Sequence, residues 1–293
     1  MKPADLPPGT EEAAGQLRQD ETAVLFRLFD RVFRVTGDDF RSYRQAMVLR
    51  RLEGRLRATG AGNYGEYLGF LETHPEEYGR LVNHLTITVS DFLRTPYTYQ
   101  QMVRLVLPEL VSRKRLQTNP DLQFWSAATA RGQEAYSIAL VLADFLGDRR
   151  SDFKISVNAT DINRGSLLQA RAGRYSLKDV AHLPAGLLER YFTRAGQECE
   201  VNADIKQMVT FRYHNLASSA PAPFINQDCI FCCNILIYLQ RQAQEKVLHT
   251  LYHSLAVPGY LILGEAETPP GSLVGKLRAV DSRARIFQKT GRI

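Results

Sequence analysis

The sequence contains no apolar stretch long enough to cross a bilayer, which takes about 18 consecutive apolar residues, so no membrane insertion is expected. Its first residues, MKPADLPPGTEEAAG, lack the charged-then-apolar order of a secretory signal, and a cytoplasmic location is expected. Cysteine is scarce: there are four, and three of them (Cys229, Cys232 and Cys233) crowd into one apolar strand-like run, which suits reduced thiols better than disulfides. Cys229-x-x-Cys232 has no second pair, and strand alternation would turn the two side chains to opposite faces. His249 and His253 stand four apart without a third ligand nearby, so no metal site is expected. No G-x-G-x-x-G follows a predicted strand and no G-x-x-x-x-G-K-[ST] occurs, so nothing marks a pyrophosphate cradle. Internal repeats are absent.

What is present divides along the chain. Residues 1–22 carry three prolines and read as a flexible tail. Residues 23–94 hold helical patterns punctuated by Gly37 and Gly60 and read as a helical domain. Residues 95–118 read as a linker helix with Pro96 near its start and a break before Pro108. From 119 to 293 strands and helices alternate, as a doubly wound α/β sheet requires, with a small antiparallel insertion over 190–213.

The formal charge of +6 is unevenly placed. From Arg41 to Arg57 there are six arginines against one acid, Glu53. Arg44, Arg51 and Arg55 fall at helical spacing and predict a basic stripe able to dock an acidic partner. Aromatic residues are not interleaved with them as single-stranded nucleic acid would prefer, so an acidic helical protein is the expected partner and nucleic acid is not.

Three segments carry the chemistry. LQFWSAATARGQEAYSIAL reads as strand, small-residue loop and helix, with Ala127 and Gly132 among the positions where a ligand must approach backbone closely. KISVNAT runs into Asp161, a carboxylate at a strand's carboxyl end, suited to a ribose. The third, Asp228 to Leu239, is another apolar strand ending in polar residues. A nucleoside without a diphosphate fits this edge, pointing to S-adenosylmethionine (SAM) over NAD or ATP.

The order of motifs resembles that of the CheR-type protein-glutamate O-methyltransferases of chemotaxis. The family's Thr-x-Asn-x-Thr-x-Phe-Phe-Arg stretch reads here as Thr86 to Arg94, and its Gly-Glu-Glu-Pro-Tyr-Ser as Gly132 to Ser137. Its Ala-Thr-Asp-Ile-Asp strand end is Ala159 to Asn163, its Asn-Leu pair Asn215-Leu216, and its Arg-Asn-x-x-Ile-Tyr-Phe strand Cys233 to Leu239. The resemblance implies a helical domain followed by a Rossmann-like SAM-dependent methyltransferase domain bearing a small β-subdomain. It implies methylation of glutamate carboxylates on the cytoplasmic part of a methyl-accepting receptor, with S-adenosylhomocysteine as product.

By the same resemblance Asp161 would hold the ribose, Asn215 and Leu216 the adenine, and Asn234 the methionine end. Arg94 and Tyr238 would lie nearest the methyl, and Thr88, Ser90, Ala127, Gly132, Glu134 and Ile235 would complete the cofactor's surroundings. The short 190–213 segment lacks the longer glycine-containing loop of members that grip a receptor's terminal pentapeptide, which implies pentapeptide independence. The chain departs from the family at Thr88, Ser90, Gln133 and Cys233, where asparagine, threonine, an acid and arginine are usual. Loss of a carboxylate near the cofactor's ammonium at Gln133 would be offset by Glu134. These departures also suit an alternative, a catalytically weak relative that binds SAM or its product as a signalling module.

Overall fold

The computed structural model describes residues 19–118, 120–218 and 220–291, so the tail expected over 1–22 falls mostly outside the described residues. From Gln19 the chain is already helical. It divides into two compact units between Leu85 and Thr86.

The first unit contains helices α1 (Gln19–Thr36), α2 (Gln45–Thr59), α3 (Tyr64–Thr73) and α4 (Glu76–Leu85). Leu25, Leu28, Phe29 and Val32 recur at the spacing of one helix face and are buried, as are Val48, Leu52 and Leu56 on α2. α2 stops at Gly60, whose left-handed backbone lets its N–H reach the Leu56 carbonyl. Asn63 caps α3 by accepting from the Glu66 N–H at 2.9 Å.

The arginine stripe is only partly available to solvent. Arg55 donates from Nε and Nη2 to the two carboxylate oxygens of Glu77 at 2.8 and 2.7 Å, and Tyr67 donates to the same carboxylate at 2.8 Å. Glu77 is fully buried, so Arg55 neutralises an internal charge. Arg51 donates to the carbonyl of His84 at 2.6 Å. Two of the three arginines expected to face a partner are therefore turned onto α4, while Arg44, Arg50 and Arg57 are exposed.

The second unit opens with Thr86 to Thr95, which the sequence reading had assigned mainly to the helical domain. Thr86 accepts from Asn163 Nδ2 at 2.6 Å, the Leu93 N–H donates to Ser137 at 2.9 Å, and Phe92 is fully buried in the α/β core. Next come α5 (Pro96–Gln101), one π-helical stretch over Met102–Val106, and α6 (Leu107–Lys114). In place of the break expected before Pro108, the chain widens. Proline lacks an N–H and its ring crowds the carbonyl four residues back, and the wider turn relieves both without ending the helix.

Strands β1 (Asp121–Ala127) and β2 (Lys154–Asp161) are joined by α7 (Gln133–Leu146), and α8 (Arg164–Ala172) follows β2. β3 (Arg174–Ser176), α9 (Leu177–Val180), α10 (Ala185–Tyr191), β4 (Phe192–Ala195), β5 (Glu198–Val201) and α11 (Ala203–Lys206) come next. The chain ends with β6 (Val209–Tyr213), β7 (Gln227–Cys232), α12 (Arg241–Ser254), β8 (Leu255–Leu263), β9 (Leu277–Asp281) and β10 (Ile286–Lys289).

The main sheet runs β6-β2-β1-β7-β8-β10-β9, parallel from β6 to β8 and antiparallel at β10 and β9. A separate antiparallel sheet runs β3-β5-β4. The expected insertion is thus redrawn: β6 belongs to the edge of the main sheet, and the small sheet recruits β3 from before the predicted segment. Strand β6 pairs parallel with β2 from Val157 to Asp161, which the short alternating pattern of 209–213 did not distinguish from a hairpin arm.

Phe124, Val157, Phe231 and Ile262 fill one side of the sheet. Trp125 turns to the other, fully buried, donating from its indole to Thr160 Oγ1 at 2.9 Å with Phe224 edge-on to it. Near the strands' amino ends buried Asp228 accepts from the Gln123 N–H at 3.0 Å and pairs with Lys114 at 2.7 Å, tying α6 to the sheet.

Candidate functional site

From β1 the chain winds outward to β2 and β6, then returns across the sheet to β7 and β8. The order therefore reverses between β1 and β7, and at such a switch point the loops leaving the two strands diverge and open a crevice at the carboxyl edge. A cleft, partly open to solvent, lies there. Its walls come from the loop after β1 (Ala128, Thr129, Ala130), the first turn of α7 (Glu134), the end of β7 (Cys233, Asn234) and the segment before α5 (Ser90, Arg94).

Six described residues other than glycine have positive φ, and Leu93, Ala128, Ala130 and Asn234 are among them. The last three line the cleft and Leu93 precedes Arg94. Left-handed backbone disfavours residues with a Cβ, so its concentration here marks strain held at a working site. Gly132 sits in the same loop at φ +90°, and a Cβ on it would lie 2.8 Å from that of Ala170, so only glycine lets the loop pack on α8.

Glu134 accepts a hydrogen bond from Ser126 at 2.7 Å, and the neighbouring Cys233 thiol also favours its charged form. Desolvation outweighs both and pushes its pKa up to about 7, with nearby Glu267 adding to the rise and Arg94 opposing it. Arg94 lines the cleft and donates to the Val89 carbonyl at 3.3 Å. Asp161 lies behind the loop, accepting from the Ala130 N–H at 2.7 Å and the Asn163 N–H at 2.8 Å. Its burial raises its pKa to about 6 against those bonds.

Of the residues singled out from sequence, the cleft brings together Ser90, Arg94, Glu134 and Asn234. Thr88, Ala127, Gly132, Asp161, Asn215, Leu216, Ile235 and Tyr238 are not on its lining. Asp161 reaches it only through Ala130, and Tyr238 ends a short 3-10 turn beginning at Leu236, just past the β7 wall. Sequence reasoning missed Thr129 and Tyr99 as lining residues. The small-residue run pointed toward Thr129, but nothing in the pattern distinguished Tyr99 from an ordinary core tyrosine. Gln133 is fully buried and off the cleft lining, whereas the departure at Cys233 is on it.

The donor set suits SAM. Thr129 Oγ1, on the lining, is a buried polar atom with no partner in the protein, the state expected of a group awaiting a ligand; off the lining, Asn215 Nδ2 and the Gln133 amide atoms are likewise unpartnered. Glu134 offers a desolvated carboxylate to a cation, and the left-handed loop lets a ligand approach backbone closely.

Comparisons with known proteins agree with this reading. Residues 25–86 match the all-alpha domain of CheR methyltransferase and residues 88–286 its SAM binding domain. Chemotaxis protein methyltransferase 2 of Pseudomonas aeruginosa is 32% identical over 242 residues, 81% of this chain and 84% of that protein. The chemotaxis protein methyltransferase of Salmonella typhimurium is 31% identical over 276 residues, 90% and 91% of the two chains. An uncharacterized 104.1 kDa protein of Rhodobacter capsulatus is 30% identical over 256 residues, and the match spans only 26% of that longer protein.

Proposed function

The chain belongs to the CheR methyltransferase family, and on that footing we propose that it transfers a methyl group from SAM to glutamate carboxylates on the acidic, helical cytoplasmic part of a chemotaxis receptor. The observation that carries this reading is the meeting of Arg94 and Glu134 in one cleft at the switch point. One offers a guanidinium to a substrate carboxylate, the other a carboxylate to a cationic cofactor.

When bound, SAM supplies an electrophilic methyl on a sulfonium. A glutamate side chain ionises near pH 4.3, so at neutral pH it is already a nucleophile and the protein needs no general base. The task left to the chain is to orient the carboxylate and exclude water. Arg94 serves the first, and the apolar walls at Phe231 and Leu263 serve the second. Asp161, Asn215 and Leu216 serve the nucleoside, Asn234 and Glu134 the methionine end, and Tyr238 the region near the methyl. Thr88, Ser90, Ala127, Gly132 and Ile235 frame the same ligand.

Receptor docking falls to the basic face of α2, with exposed Arg44 meeting acidic side chains directly, and Arg51 and Arg55 keeping that helix fixed on α4. The connection between β4 and β5 is only Gly196 and Gln197, too short to grip a peptide, which supports a pentapeptide-independent enzyme. Incubation with methyl-labelled SAM and a receptor cytoplasmic fragment is expected to yield a labelled methyl ester that releases methanol in base. Bound SAM without methanol across a panel of receptors would favour the signalling module instead. Arg94→Ala and Tyr238→Phe are each expected to lower turnover more than SAM affinity; unchanged turnover in both removes them from the mechanism.

A further inference from the structure

Asn234 holds a left-handed backbone, φ +61°, on the cleft wall, at the start of the turn that leaves β7. What holds it is Glu267, which lies beyond the end of β8 and is 97% buried. Its Oε2 accepts from the Asn234 N–H at 2.9 Å and the Gly264 N–H at 2.8 Å, and its Oε1 accepts from the Leu236 N–H at 2.7 Å. The Ile237 N–H also bonds to it. One carboxylate thus collects three amides of the turn that leaves β7 and one from the end of β8, and that turn runs from Asn234 to Tyr238.

No lysine or arginine pairs with this carboxylate among the described ion pairs, and the backbone amides alone compensate its charge. Gly264 completes the fit from the other side. A Cβ there would lie 2.8 Å from both the Asn234 nitrogen and Glu267 Oε2, so the close approach of the two strand ends depends on glycine.

We propose that Glu267 is a positioning residue of the cofactor site: its carboxylate sets the backbone of Asn234 and the turn ending in Tyr238, and thereby the wall against which the methionine end of SAM is held. This rests on the reading of the cleft as the SAM site. A neutral amide in place of the carboxylate would turn an NH2 toward at least one of the N–H donors, leaving donors facing each other in a buried site.

The test measures SAM binding and steady-state methylation in the full chain for wild type, Glu267→Gln, Gly264→Ala and Asp228→Asn. Asp228 is equally buried and hydrogen-bonded but lies near the other end of the sheet. Glu267→Gln is expected to raise Kd and KM for SAM about tenfold or more while retaining the wild-type circular dichroism spectrum. Gly264→Ala is expected to move Kd in the same direction with the carboxylate still in place, and Asp228→Asn to lower the melting temperature with Kd unchanged. An unchanged Kd in folded Glu267→Gln overturns the proposal. Should that variant not fold, an unchanged Kd in Gly264→Ala overturns it. Failure of the wild-type protein to bind SAM would refute the reading of the cleft itself, an outcome distinct from either.

Discussion

Single residues in this protein set which ionisation state the site presents. Glu134 titrates near pH 7, and a cationic cofactor favours its charged form. Below that pH, binding must displace a proton. SAM affinity is therefore expected to rise as pH increases from 6 to 8, and Glu134→Gln to flatten the slope, as calorimetry in two buffers of different ionisation enthalpy would register. The same group acts on stability with the opposite sign. Its folded pKa lies above the ordinary 4.5, so the folded state binds more protons between about pH 4.5 and 7, and its contribution to stability falls as pH rises through that window. In the helical unit Arg55 gives a second residue-level prediction. Arg55→Ala would leave buried Glu77 with only a 3.9 Å approach from exposed Arg80 to balance its charge, costing about 3–5 kcal/mol. A drop in the denaturant midpoint checks it, and a variant as stable as wild type would return Arg55 to the partner-facing surface.

At the level of elements, the sequence was most legible where periodicity and end signals agree. The helices around Leu25 to Val32 and Val48 to Leu56 announce themselves by apolar spacing, and Gly60 and Asn63 mark a stop and a start through their own conformational preferences. Strand β7 was legible because a strand buried on both faces reads as an apolar run, and β1 and β2 because alternating patterns run into the small-residue loop and into Asp161. The rest turned on contacts distant in sequence. Whether Val209 to Tyr213 joins the small sheet or the large one is decided by β2, about fifty residues earlier, and not by its own pattern. Arg51 and Arg55 looked solvent-facing because their partners on α4 lie 33 and 22 residues away. In the site, Arg94, Glu134 and Asn234 were found through the resemblance, while Glu267 matched no quoted motif and shows its role only through four amides gathered in space. The loop between β1 and α7 gives the prediction at this scale. Gly132→Ala combines a disfavoured φ with a Cβ clash on α8, and is expected to cost about 1–3 kcal/mol and to weaken SAM binding. Thermal melts with and without the product S-adenosylhomocysteine would separate the two effects.

At the level of the whole molecule, the chain divides into a helical unit carrying the arginine-rich stretch over 41–57 and a unit that matches a SAM binding domain. If α2 docks an acidic receptor, kcat/KM for the receptor should fall steeply with ionic strength while Kd for SAM changes little. Arg44→Glu should reproduce the first effect at low salt without the second, and equal salt sensitivity of both constants would argue against docking through that helix. The two units also differ optically. Trp125 is the sole tryptophan of the chain, buried beside the carboxyl edge of the sheet, and the helical unit has none. Emission excited beyond the tyrosine band therefore comes from one position in one unit, while the far-ultraviolet ellipticity draws on helices of both. Unfolding followed by the two signals together would reveal whether the units melt as one cooperative system or in succession, with no label attached to the protein.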